Sequence, residues 1–119
     1  VERAEKYIND NFGHAEGDSA ISTVARALQN AVPEPSISAR FGGDELFSVY
    51  FGVHDPYKVI ERIDTYLDDY NRVSGKPYKL STSVGFSESI NSIDFSMDHA
   101  IKEADKMMYT VKKQRKTVR

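Results

Sequence analysis

Two adjacent acids, Asp44 and Glu45, follow two glycines, Gly42 and Gly43, between two short runs of strand-like composition. Upstream, Ile37 to Phe41 alternates apolar with polar; downstream, Leu46 to Val53 is rich in aromatic and β-branched residues. That pattern predicts a β-hairpin with the glycines at its tip. Glycines there can take positive φ and leave the backbone bare of side chains. The two carboxylates then stand where a phosphate or a metal can approach unhindered. Hard divalent cations such as Mg²⁺ take such oxygens, typically one or two carboxylates together with substrate phosphates. A solvated hairpin turn carries the same residue types, so the tetrapeptide alone leaves both readings open.

The elements that must position this tip are legible on either side of it. Ile8 to Phe12 reads as the end of a short helical stretch that Gly13 stops, and Asp18 as the N-cap of the next helix. Ile21, Val24, Ala25, Leu28 and Val32 mark one face of that helix, and Pro33-Glu34-Pro35-Ser36 forces a turn into the hairpin. Asp55-Pro56 is a cap followed by a first-turn proline. Val59, Ile60, Ile63, Tyr66, Leu67 and Tyr70 form the stripe of a further helix, which Ser74-Gly75 closes. Leu80, Thr82, Val84 and Phe86 alternate as a strand. A last helix turns Met97, Ile101, Ala104, Met108 and Val111 inward, the methionines as core filling. The predicted order is αα-ββ-α-β-α, an antiparallel sheet carrying helices.

Composition narrows the function classes. A chain of 119 residues has room for one modest core. A net charge of -2 leaves no broad basic footprint for nucleic acid. The chain has no cysteine, which excludes a disulfide scaffold or a thiolate metal site and fits a reducing compartment. No apolar run reaches membrane-spanning length and no signal-peptide pattern is present, so the expected location is cytoplasmic. His14, His54 and His99 are scattered without metal-ligand spacing and read as turn or surface residues.

Several short pieces fall in a fixed order along nearly the whole chain. They are Lys6, Ile8-Asn9-Asp10, Gly13-His14, Gly17-Asp18, Arg40, Gly42-Gly43-Asp44-Glu45-Leu46, Ser83-Val84-Gly85, and Ala104-Asp105 with Tyr109 and Lys112. In this order and near this spacing the chain resembles the GGDEF family, diguanylate cyclases that make cyclic di-GMP from two GTP. The resemblance implies an α+β, palm-like fold (ferredoxin-like, βαββαβ-derived) whose antiparallel or mixed sheet packs with helices and holds the hairpin at the active site. It implies Mg²⁺ or Mn²⁺ as cofactor with Asp44 as metal ligand, and Glu45 beside it at the substrate phosphates. The backbone of Phe41, Gly42 and Gly43 would run along the triphosphate. Asn9 and Asp18 match the residues that read guanine. A carboxylate can accept from guanine N1-H and N2-H₂, and an amide can both donate and accept. For Asp18 a plain helix cap is the competing reading, and for Asn9 an ordinary helix-end residue. Lys112 and Lys116 match basic positions at the terminal phosphate. Arg115 stands beside the second as an alternative, and a helix C-terminal dipole would favour the same cations.

The resemblance further implies a homodimer for catalysis and a sensory or regulatory domain on the same polypeptide. Two departures matter. The family fold begins with a central strand bearing metal-binding aspartates, and here Val1 and Arg3 stand at those positions with Glu5 in place of a phenylalanine. Residues 1–119 therefore read as a single domain lacking its N-terminal strand, an excerpt of a longer protein; a degenerate first strand and one supplied by another chain are the alternatives. Many members also carry an Arg-x-x-Asp motif before the hairpin, where product binds and inhibits; here the positions are Pro33 and Ser36. Three readings follow: an active cyclase domain, a degenerate GTP-binding or dimerising module, and a palm-like relative using another nucleotide. The intact hairpin with Asn9 and Asp18 favours the first.

Overall fold

The computed structural model describes residues 5–40, 45–52, 54–87 and 97–118; the side chains at 5–7, 9, 97–98 and 115–118 are outside the described set. Six elements follow in order: α1 (Glu5–Phe12), α2 (His14–Ala31), β1 (Ser36–Arg40), β2 (Leu46–Tyr50), α3 (Pro56–Ser74) and α4 (Met97–Val118). They build an α+β fold in which a small antiparallel sheet is accompanied by helices. Two compact units divide it, Glu2–Thr82 and Ser83–Arg119. The reading of a missing first strand concerns positions 1–4, outside the described residues, and Glu5 already opens α1.

The first unit is organised around α2. Its buried face is a stripe of Ala20, Ile21, Val24, Ala27, Leu28 and Ala31, with Ala25 only half-buried. The three alanines let neighbouring helices approach closely, and α2 touches α1, α3 and β2. From α3, Val59, Ile63 and Leu67 are buried. Each large aliphatic side chain withdrawn from water contributes about 1.5–3 kcal/mol. Thr23 lies within this stripe because its hydroxyl donates to the Ser19 carbonyl at 2.9 Å, one turn earlier. Arg62 of α3 donates to the Ala31 carbonyl at 3.2 Å, which satisfies an acceptor at the C-terminal end of α2.

The predicted caps of α3 are present. Asp55 accepts from the Tyr57 N–H at 2.9 Å, Pro56 occupies the first turn, and Gly75 closes the helix at φ 68°. The cap predicted for α2 is different. The helix begins at His14, directly after Gly13, and Asp18 lies inside it rather than at its start. The reason is Gly13, whose φ of 93° breaks the chain direction sharply enough for α2 to begin at once. The Gly17 N–H then reaches the Gly13 carbonyl at 3.2 Å as an early helical bond.

The hairpin predicted from alternation is present, pairing Ser36 with Tyr50, Ser38 with Ser48 and Arg40 with Leu46. Ser38 donates its hydroxyl to Ser48 across the ladder at 3.0 Å. The predicted strand from Leu80 to Phe86 differs. Leu80 and Thr82 are buried, but within the stretch from Leu80 to Phe86 only Ser83 makes a bridge. A side chain does there what a strand partner would do. Asn71 Nδ2 donates to the Leu80 carbonyl at 2.8 Å, and Asn71 Oδ1 accepts from the Leu80 N–H at 2.8 Å.

In the second unit the 83–87 segment lies directly on α4. A Cβ at Gly85 would sit 2.0 Å from the Ala104 carbonyl oxygen and 2.4 Å from the Met108 nitrogen, so only glycine fits against this backbone. Ser87 donates to the Ala100 carbonyl at 2.7 Å, and Met108 is buried as core filling. No helix among the described residues is long and apolar enough to cross a membrane.

The Asn71 pairing yields a stability prediction. Asn71→Ala leaves both main-chain groups of Leu80, which is only 4% exposed, without these partners. The cost is expected at about 2–3 kcal/mol, measured by urea unfolding. A change below about 0.5 kcal/mol would show that the pairing contributes nothing.

Candidate functional site

Residues predicted to do chemistry fall at two places along the chain of the first unit. The first is the closed end of the hairpin. The register that sets Arg40 against Leu46 leaves 41–45 as the connection. Glu45 is half-buried immediately before β2, whereas Phe41, Gly42, Gly43 and Asp44 lie outside the described residues. Among the described residues no group of three or more His, Cys, Asp or Glu could hold a metal. Asp44, the residue expected to hold a metal, lies outside the described residues.

The second place is the α1–α2 junction. Asn9 lies on α1, with its side chain outside the described set, and Asp18 lies exposed on α2. Gly13 stands between them, and the space around it is open. Across this junction lies a cluster that local periodicity could not reveal. Glu16, in the first turn of α2, holds Lys76 Nζ at 2.9 Å through one carboxylate oxygen. Through the other it accepts from the Tyr78 hydroxyl at 2.5 Å. The Tyr78 ring, buried at 8% exposure, packs on Phe12 with centroids 5.0 Å apart. One side chain thus touches the last residue of α1 and the first turn of α2 together.

These bonds shift both charged partners. The Tyr78 hydroxyl, then the Lys76 ammonium, hold the Glu16 carboxyl below its ordinary value. The Glu16 carboxylate pushes Lys76 up, against the opposing pull of partial burial. The two side chains are about a third exposed, so solvent weakens the pair.

Lys112 is half-buried on α4; Lys116 lies on the same helix with its side chain outside the described set. Neighbouring Lys113 sits over the Tyr109 ring, 4.9 Å from its centroid. His14, His54 and His99 are all exposed, and His54 Nε2 lies 3.1 Å from the Phe51 carbonyl.

The sequence profile described as diguanylate cyclase, GGDEF domain, matches residues 5–117. Diguanylate cyclase A of Treponema denticola is 28% identical over 113 residues, covering 90% of this chain and 29% of that protein. The protein named probable diguanylate cyclase DgcJ of Escherichia coli (strain K12) is 33% identical over 119 residues, covering 96% of this chain and 22% of its own length. The chain thus spans less than a third of these curated relatives. Among solved structures, the GGDEF domain of DgcB from Caulobacter crescentus in complex with c-di-GMP matches with a TM-score of 0.73. Its identity is 23%, over 95% of this chain and 69% of that one. At that identity the likeness shows the fold.

The Glu16–Lys76 pair predicts a pH dependence with defined signs. Glu16 has a lowered folded pKa, so its contribution is complete above 4.5 and lost as the pH falls through the depressed value. Lys76 has a raised folded pKa, so its contribution is complete below 10.5 and lost as the pH rises through the raised value. The drop in thermal midpoint caused by Glu16→Gln should therefore be largest near neutrality and shrink in acid. A drop that stays constant from neutral pH to well below 4.5 would contradict the pairing.

Proposed function

This chain belongs to the GGDEF family, and on that premise we propose that it is a diguanylate cyclase domain condensing two GTP into cyclic di-GMP. The observation that carries the reading is the hairpin. Its register closes on 41–45, the segment that holds the Gly-Gly-Asp-Glu sequence. In the reaction each 3′-hydroxyl oxygen forms a bond to the α-phosphorus of the other GTP. Each α–β phosphoanhydride bond breaks, two pyrophosphates leave and the hydroxyl protons pass to solvent.

The donor chemistry at the hairpin fits a hard divalent cation. Asp44 and Glu45 offer only oxygen, and the remaining ligands of such an ion are commonly phosphates and water. Asp44 would hold the ion, with Mg²⁺ or Mn²⁺ as candidates. When bound, it supplies charge neutralisation at the phosphates and acidifies the attacking hydroxyl. The chain's own residues do the rest. Gly42 and Gly43 let the main chain approach the triphosphate without a Cβ in the way, and Glu45 orders the polar groups beside it. Asn9 and Asp18 read the guanine edge across the α1–α2 junction. Lys112 and Lys116 bring cations to the terminal phosphate.

One hairpin serves one GTP, so catalysis needs two domains face to face as a homodimer. The domain works in the cytoplasm under a sensory or regulatory domain of the same polypeptide, with no nucleic-acid partner. Val1 and Arg3, at positions where the family carries aspartates, favour a second reading, a degenerate module that binds GTP without turning it over.

The two readings separate in one assay. The full-length protein carrying this domain should form cyclic di-GMP from GTP only with Mg²⁺ or Mn²⁺, and Asp44→Ala should abolish turnover. Synthesis retained by the alanine variant would remove Asp44 from the metal site, whereas GTP binding without turnover in the parent protein would favour the degenerate module.

A second expectation concerns product. Pro33 offers no side-chain donor and Ser36 no charge, and the nearby acid Glu34 has no arginine partner before the hairpin closer than Arg26, so the pairing of bidentate arginine and acid that such a ligand requires is missing. Calorimetric titration should find no saturable cyclic di-GMP binding that depends on residues 33–36. Micromolar binding that survives changes at Asn9 and Asp18 but is lost on changing 33–36 would contradict this.

A further inference from the structure

We infer that Tyr78, Glu16 and Lys76 form a latch that sets the spacing of the guanine-reading pair and thereby the nucleobase selectivity of the domain. The inference rests on the proposed guanine role of Asn9 and Asp18 and names the residues that position them. These two stand on different helices, and the chain between the helices turns at a single glycine. Gly13 has a φ of 93°, its carbonyl accepts from the Gly17 N–H, and α1 packs on α2. To that local packing a distant part of the chain adds a further restraint.

Tyr78 grips both sides of that turn. Its ring lies on Phe12, one helical turn after Asn9, and its hydroxyl donates to Glu16, two residues before Asp18. Lys76 holds the other oxygen of the same carboxylate at 2.9 Å, so Glu16 cannot rotate away without losing both partners. A bidentate reading of guanine N1-H and N2-H₂ depends on placement to within a fraction of an ångström. An opened latch therefore weakens the contacts that distinguish guanine and spares those that any nucleoside triphosphate makes through its phosphates. Tyr78, Glu16 and Lys76 are positioning residues and touch no substrate.

Inosine is the discriminating probe, because it lacks the 2-amino group that guanine presents. Binding of the non-hydrolysable α,β-methylene analogues of GTP and ITP is measured by calorimetry on the full-length protein with Mg²⁺. Tyr78→Phe keeps the ring on Phe12 and removes only the hydroxyl; Glu16→Gln keeps the side-chain length and removes the charge. Each should weaken the guanosine analogue about five- to tenfold, the scale of one net hydrogen bond. The inosine analogue keeps N1-H and lacks only the 2-amino contact, so it should weaken by less, about twofold, and selectivity falls. Lys76→Arg, which retains a cation for Glu16, should keep most of the parent selectivity.

The outcomes separate the latch from the reading on which it depends. Suppose Asp18→Ala or Asn9→Ala collapses the preference for the guanosine analogue while Tyr78→Phe and Glu16→Gln preserve it. The latch is then overturned and the guanine role stands. Equal weakening of both analogues by the latch variants would also overturn it, since that is the effect of general loosening. If Asp18→Ala and Asn9→Ala leave the preference unchanged, the guanine role fails and the latch fails with it.

Discussion

Close packing of the small-residue face of α2 is the constraint on which the first unit depends. Ala20, Ala27 and Ala31 permit neighbouring backbones to come near, and Ile21, Val24 and Leu28 supply the apolar surface that makes the approach favourable. Because α2 touches α1, α3 and β2, it ties both places where chemistry is expected to one rigid element. The α1–α2 junction lies at its N-terminal end. The hairpin follows its C-terminal end after the short turn at 32–35. A larger residue at any of the three alanines would force these neighbours apart, with consequences at the site and not in the core alone.

The sequence was most legible where a local rule decides the structure. Asp55-Pro56 and Gly75 mark the ends of α3 through capping, proline geometry and positive φ, all properties of adjacent residues. The hairpin is legible for the same reason: alternation and turn chemistry act within a span of fifteen residues, Ser36–Tyr50. At Asp18 two rules compete, and it lies inside α2 rather than at its cap. A good capping side chain lost to a glycine five positions earlier that could start the helix at once. The stretch from Leu80 has the right pattern for a strand, yet pattern records which face is buried and not which partner completes the hydrogen bonds. Asn71 supplies that partner from α3. The Glu16–Lys76–Tyr78 cluster left no local trace, since its members are 60 and 62 positions apart.

The site shows the same division. Motif order identified the family and pointed to Asp44, Glu45, Asn9 and Asp18, residue types suited to bind phosphate, metal and guanine. It could not show what holds them. Gly13 and Gly85 illustrate two physical reasons for glycine in such motifs. Gly13 supplies a backbone direction that other residues adopt poorly, and Gly85 allows the 83–87 segment to lie on the α4 backbone at a distance no Cβ tolerates. At Gly13 the absent side chain permits the positive φ, and at Gly85 it permits the packing.

Phosphorus NMR of the full-length protein with GTP and Mg²⁺ tests the proposed chemistry most directly, because it reads every phosphate in substrate and product at once. Condensation of two GTP predicts loss of the triphosphate signals together with the growth of a single phosphodiester resonance and of pyrophosphate. Two molecules of pyrophosphate should appear for each cyclic dinucleotide. Release of inorganic phosphate with accumulation of GDP would contradict the account, because bond cleavage would then occur at the γ-phosphate and not at the α-phosphate.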